Sequence, residues 1–237
     1  QIEAVETVIW LTEVAGKPAH KGRKAKLATA QRYWEHVFAA NEASNPALVR
    51  LALKLATGAG KTTVMAMLIA WHTFNALRVP EDMLRDLGQA KIVITNYHAF
   101  KKKDELSLNK VQQAALATQS KPESDGAMLR RVAGPLMGMK NIVVLNDEAH
   151  HCYRERPLSE EEQKELKGEL KEEADKANEA ARLWISGIEA AKRTLGINMV
   201  YDLSATPFFL KGSGYREGSL FGWVMSDFSL MDAIECG

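Results

Sequence analysis

Cysteine is scarce in this chain: Cys152 and Cys236 are the only two among 237 residues. Two thiols so far apart cannot build a disulfide framework and lack the clustered spacing of a zinc site, so free thiols in a reducing compartment are expected. Long apolar runs are missing as well. No stretch approaches the roughly 20 apolar residues that a membrane-spanning helix needs. The chain opens on an amphipathic pattern, without a basic stretch leading into a short apolar core, so no secretory signal is expected and a cytoplasmic location is. Charge of one sign is lacking too: 31 Lys and Arg oppose 30 Asp and Glu, for a formal net charge of +1. Any nucleic-acid binding would therefore depend on local basic patches. Two small ones occur, residues 20–26 with His20, Lys21, Arg23, Lys24 and Lys26, and the triplet Lys101, Lys102 and Lys103.

What the chain does have is ample apolar material, 46% of residues beside 26% charged, enough for the core of one large domain or two small ones. Residues 1–14 place Ile2, Val5, Val8, Ile9 and Leu11 at near-helical spacing, and residues 27–38 repeat the pattern with Leu27, Trp34, Val37 and Phe38. Residues 48–55 then form a predicted strand. A glycine-bearing turn follows, and residues 62–75 are apolar on nearly every side, as in a buried helix. Residues 91–95, 141–145 and 197–203 are short β-branched runs of the kind that buried parallel strands show. Strands separated by helical stretches predict an α/β fold, a parallel sheet with helices on both faces. Residues 160–182 carry Glu and Lys at spacings of three and four, which predicts a solvated helix. Residues 77–88 break the alternation, because no apolar β-run occurs where the next strand is due. An excursion, or chain missing between Ala76 and Val79, is expected there.

The chemistry is concentrated at strand ends. Ala56-Thr57-Gly58-Ala59-Gly60-Lys61-Thr62-Thr63 lies between a predicted strand and a predicted helix. Gly58 and Gly60 let the backbone wrap closely around phosphate, so that N–H groups from Thr57 to Thr63 and the positive helix end face it. Lys61 would reach the β- and γ-phosphates of a nucleotide, and the Thr62 hydroxyl would serve as a magnesium ligand. Val143-Val144-Leu145-Asn146-Asp147-Glu148-Ala149-His150 closes another strand. Ligands of open α/β sheets bind at the carboxyl ends of strands, which brings this acidic pair beside the glycine loop. Asp147 would hold magnesium, mostly through water, and Glu148 would orient the attacking water. In Ile94-Thr95-Asn96-Tyr97-His98-Ala99-Phe100, Thr95, Asn96 and the nearby Lys101 could contact a nucleic-acid phosphate. Equally, Asn96 could only cap the next turn, with Tyr97 and Phe100 in the core. His98 and His151 are expected to be structural hydrogen-bonding residues.

Thr57-Gly58-Ala59-Gly60-Lys61-Thr62 and Asp147-Glu148-Ala149-His150 resemble the nucleotide motifs of superfamily 2 helicases, the second being a DEAH box. Leu55 stands where the general G-x-x-x-x-G-K-T loop has its first glycine, a departure common in that superfamily. Leu203-Ser204-Ala205-Thr206-Pro207 is similar to helicase motif III, which implies that Ser204 and Thr206 contact His150 or Asp147 and couple nucleotide state to nucleic-acid grip. Gln1 either matches the adenine-reading glutamine of some helicases or is an ordinary surface residue. With the flanking residues included, the chain most resembles the motor subunit of type III restriction enzymes and related phage-defence helicases, although residues 77–88 lack that family's motif Ia.

The resemblance implies a RecA-like, doubly wound P-loop NTPase domain over residues 48–214, with residues 160–195 as a helical insertion and residues 1–47 as helices leading in. Residues 215–237 would begin the connection to a second RecA-like domain, whose arginine finger is worth about a thousandfold or more in rate. It further implies ATP and magnesium, duplex DNA as partner, a nuclease domain elsewhere in the protein, and admits other defence-system subunits as partners. The function implied is an ATP-dependent DNA translocase or helicase. An RNA helicase, or a module in which the nucleotide only gates binding to nucleic acid or protein, are the alternatives.

Overall fold

The computed structural model describes residues 1–14, 29–77, 91–103 and 123–236. The basic patch at residues 20–26 lies outside the described residues, and the break expected between Ala76 and Val79 runs into residues 78–90, which lie outside them too.

Four strands form one all-parallel sheet: β1 Arg50–Leu55, β2 Ile142–Asp147, β3 Ile197–Ser204 and β4 Val224–Phe228, in the order β2-β3-β1-β4. Three of these are the runs expected at residues 48–55, 141–145 and 197–203, shifted by a residue or two at their ends. Parallel strands cannot be joined by tight hairpins, so each connection crosses over a face of the sheet. Successive side chains alternate between faces. Leu51, Leu53 and Leu55 of β1, with Met199, Tyr201 and Leu203 of β3, point into one apolar cluster. Helices α1 (Ile2–Ile9), α2 (Thr29–Ser44) and α3 (Lys61–Leu77) supply the rest of that cluster through Val5, Val8, Trp34, Val37, Val64 and Leu68. Trp34 is tied in further, its Nε1–H donating to the Leu11 carbonyl at 2.8 Å. On the opposite face, Val200 packs with Met128 and Leu129 of α4 (Asp125–Ala133) and with Ile185 and Ile188 of α6 (Glu169–Leu195). Helices thus cover both faces.

Three local expectations change, and one strand is added. Residues 91–95 do not join the sheet; they lead into a short 3-10 turn at Tyr97–Phe100, with Ile92 57% and Ile94 94% exposed. β-Branched composition suits a pleated surface but supplies no neighbour for the ladder, and among the described residues none pairs there. Residues 224–228, which carry no comparable β-branched run, are paired with β1 instead. Helix α3 is not apolar-buried all round: Val64 and Leu68 are buried, whereas Ala66 and Met67 face outward, because α3 packs by one stripe only. The charged stretch at residues 160–182 is two helices, α5 (Glu160–Glu165) and the start of α6. The first helix ends at Leu166, which leaves helical geometry and turns inward, and Gly168, with a φ of 58°, stands at the N-cap of the second. From Ala174 onward α6 carries a buried stripe through Ala181, Ile185 and Ile188.

Candidate active site

The carboxyl ends of β1, β2 and β3 lie side by side because all three strands run the same way. After β1 the chain turns through residues 56–60 directly into α3, which begins at Lys61. Ala56 N–H donates to the Phe228 carbonyl at 2.9 Å and Ala59 N–H to the Ala56 carbonyl at 3.0 Å, so the loop is anchored at its base and folded back on itself. Gly58 and Gly60 have φ of 83° and 82°, a region costly for any residue with a Cβ. Space is limiting too at Gly60: an added Cβ would fall 2.9 Å from the Gln1 side-chain carbon Cδ. The structure therefore brings Gln1 against the glycine loop. Thr57, Thr62 and Thr63 are exposed, and Ala59 is half-buried.

At the end of β2, Asp147 and Glu148 turn toward this loop. Lys61 Nζ makes an ion pair with Glu148 Oε1 and lies 3.8 Å from Asp147 Oδ1. The lysine side chain is 15% exposed and the two carboxylates 48% and 53%, so the cation is sheltered while the acidic groups remain open to solvent. Glu148 has a φ of 49° and a ψ of 44°, unusual for a residue with a Cβ. Its N–H is taken by Asp147 Oδ1 at 3.0 Å, which helps to hold the left-handed turn and directs the Glu148 side chain off the strand axis.

The Ser-Ala-Thr run closes β3 between them. His150 Nδ1 is 2.9 Å from Ser204 Oγ and 3.5 Å from Glu148 Oε2. Ser204 Oγ also accepts the Thr206 N–H at 3.1 Å, which leaves its own proton to donate to a neutral His150. Burial, then the adjacent His151, holds the His150 imidazole below its ordinary value, favouring that neutral form. Ser204 thus meets His150 as expected. Thr206 takes part through its backbone, and its side chain is exposed.

The nucleic-acid candidates stand apart from this cluster, along α6. Asn96 Oδ1 accepts the Ala99 N–H at 3.3 Å, so Asn96 caps the turn Tyr97–Phe100. Tyr97 stacks on Trp184, and Phe100 packs over Gly187. Thr95 and Lys101 are exposed on either side, and the Lys101 carbonyl accepts from Arg131 Nη2 at 3.1 Å.

Beneath the acidic pair lies a polar group that sequence reasoning missed. Arg50 Nε donates to Asp202 Oδ2 at 2.6 Å with both side chains inaccessible, 0% and 1% exposed. Trp223 Nε1–H donates to the same oxygen at 2.9 Å, Asn146 Nδ2 to Asp202 Oδ1 at 3.0 Å, and Arg50 Nη1 to Asn45 Oδ1 at 2.9 Å. Cys152 is buried beside them, its thiol pushed up to about 12 by burial, as an inert thiol should be. A charge inside each of two buried β-runs, Arg50 and Asp202, was the available signal, since such charges occur in pairs. Among the described residues no group of three or more His, Cys, Asp or Glu side chains is placed to hold a metal ion. In comparisons with known proteins, the chain matches no family model, no curated protein and no solved structure.

Proposed function

We propose that this chain binds and hydrolyses ATP with magnesium as the first RecA-like domain of a superfamily 2 motor, a DNA translocase or helicase within a restriction or phage-defence enzyme. The observation that carries the reading is the convergence of Lys61, at the start of α3, with Asp147 and Glu148, at the end of β2. These residues are separated by more than eighty positions in the chain, yet the cation and both carboxylates meet beside a glycine loop with two left-handed residues. β3 lies between the two strands and delivers Ser204 to His150 on the same edge.

The residues fit a magnesium–triphosphate. Magnesium is commonly held by one or two carboxylates together with substrate phosphates, so a dedicated cluster of acidic ligands is not required. Thr62 and Asp147 would hold the ion, which when bound neutralises triphosphate charge. Lys61 exchanges its carboxylate partner for phosphate oxygens, and Glu148, released from that pair, accepts a hydrogen bond from the attacking water and orients it. The N–H groups of residues 57–63, apart from that of Ala59, which donates to the Ala56 carbonyl, would face the phosphates, and Gln1, which lies against Gly60, would meet the nucleotide base. Thr95, Asn96 and Lys101 would contact a nucleic-acid backbone, positioning it without reading sequence.

The test is a comparison of Glu148→Gln with Lys61→Ala in the full-length protein, using a fluorescent ATP analogue and an ATPase assay with duplex DNA, single strands and RNA in turn. Glu148→Gln should keep nucleotide affinity and lose about a hundredfold or more in stimulated turnover, whereas Lys61→Ala should lose affinity itself. Tight binding by the unaltered protein with no stimulated turnover would replace the motor by a nucleotide-gated module. Stimulation by RNA alone would make it an RNA helicase.

A further inference from the structure

The turn Tyr97–Phe100 is fastened to α6 at two points with matching three-residue spacing. The Tyr97 and Trp184 rings stack with centroids 5.2 Å apart and planes within 8°. Phe100 lies over Gly187, where a Cβ would fall 2.7 Å from a ring carbon Cδ1, so the ring needs a residue without a side chain beneath it. The downstream end of the turn is also pinned. Arg131 donates to the Ala99 carbonyl at 2.9 Å and the Lys101 carbonyl at 3.1 Å, and is itself paired with Glu123. Among the described residues, 91–96 lie outside the sheet upstream of the turn, with Ile94 exposed and Asn96 in an extended backbone. Tyr97 is therefore the place where a pull on Thr95 or Asn96 enters the packed structure.

Trp184 has a second commitment. Its Nε1–H donates to Asn146 Oδ1 at 3.3 Å. Asn146 is buried, donates through Nδ2 to Asp202, and is the residue immediately before Asp147. Asp202 is held by Arg50 and Trp223, so that end of the Asn146 amide is fixed. Asn146 also meets the buried Cys152 side chain, and the Trp184 bond at 3.3 Å is longer than the Asp202 bond at 3.0 Å. If the indole follows Tyr97, a buried carbonyl oxygen loses its donor, and Asn146 must turn or shift to recover one.

We propose that Trp184 is a positioning residue that couples the segment carrying Thr95 and Asn96 to the acidic pair through Asn146. This rests on the motor reading above, and it is a route separate from the Ser204–His150 contact at the end of β3. Spatial connection alone is not coupling, so the quantity that decides is a coupling factor: nucleotide affinity with a duplex bound, divided by affinity without it.

The experiment titrates the full-length protein with a fluorescent ATP analogue and magnesium, with and without a saturating DNA duplex of about three helical turns, in wild type, Trp184→Phe and Tyr97→Ala. Trp184→Phe keeps an aromatic ring for Tyr97 and removes the N–H; Tyr97→Ala removes the stack and leaves the N–H. Wild type should show coupling of about fivefold or more. Both variants should bind nucleotide alone and duplex alone within about twofold of wild type while the coupling factor falls to about one. Full coupling in Trp184→Phe overturns the proposal, and so does a loss of nucleotide affinity in the absence of duplex, because Trp184 would then serve only to support the fold. A wild type that binds no nucleotide, or shows no coupling, overturns the motor reading and this proposal together.

Discussion

Under α1, α2 and α3 the sheet presents Leu51, Leu53, Leu55, Met199, Tyr201 and Leu203, whereas under α6 the same strands and β2 present Arg50, Asp202 and Asn146, equally buried. The first face is held by the non-directional attraction of apolar surface leaving water, which tolerates small displacements. The second also packs apolar residues, Val200 against Met128, Leu129, Ile185 and Ile188, but adds hydrogen bonds that tolerate little displacement. A buried ion pair often adds no net stability over an apolar replacement, because desolvation offsets the attraction. What it supplies here is direction: Asp202 fixes Asn146, the neighbour of Asp147, and lies two residues before Ser204. Apolar packing makes the sheet cohere on both faces, and the buried polar group on the second aligns the strand ends that carry the candidate chemistry.

The largest effect should come from breaking the polar face. Asp202→Asn leaves the Arg50 charge buried without its counterion and should cost about 3–5 kcal/mol in chemical denaturation. The double replacement Arg50→Met with Asp202→Leu should recover most of that stability without restoring nucleotide affinity. Recovery of both would erase the distinction between the faces. Leu53→Ala on the apolar face should cost about 3 kcal/mol from lost burial and the cavity left behind, with nucleotide affinity per folded molecule unchanged. A drop in affinity there would mean that the site depends on cohesion as much as on alignment.

The smallest effect belongs to the partly buried pair that pins the turn after Phe100. Arg131, then the Lys103 N–H, holds the Glu123 carboxyl down to about 2 from its ordinary 4.5. The folded form therefore favours the ionised group; the contribution is complete above about pH 4.5 and fades as pH falls toward 2. Glu123→Gln should flatten the acid limb of the stability profile in that window, and added salt should weaken the wild-type effect only slightly, because the Glu123 side chain is largely sheltered. An unchanged limb would place the pinning of the turn elsewhere.

The candidate site was more legible than the fold around it. Gly58, Gly60, Lys61, Asp147, Glu148 and Ser204 each announce a local requirement, a left-handed backbone or a charge at a strand end, and such requirements are written in a few consecutive residues. Strand membership is not of that kind. Residues 91–95 and 141–145 have the same β-branched character, yet the second pairs with β3 and the first pairs with nothing among the described residues. Nor does a run of Glu and Lys disclose that Leu166 will turn inward and divide one helical pattern into α5 and α6.

By itself, the sequence determined the parallel α/β class, the glycine loop after β1 and the residue types at its edge, because periodicity, glycine placement and strand-end chemistry are properties of neighbouring residues. The tertiary structure alone decided that Lys61 would meet Glu148, that Arg50 and Asp202 would neutralise each other across 152 positions, and that Trp184 would serve both Tyr97 and Asn146. Those pairings depend on which strands lie side by side and on how far each helix reaches, and for Arg50 and Asp202 burial adds a further demand, since a charge removed from water needs its partner inside.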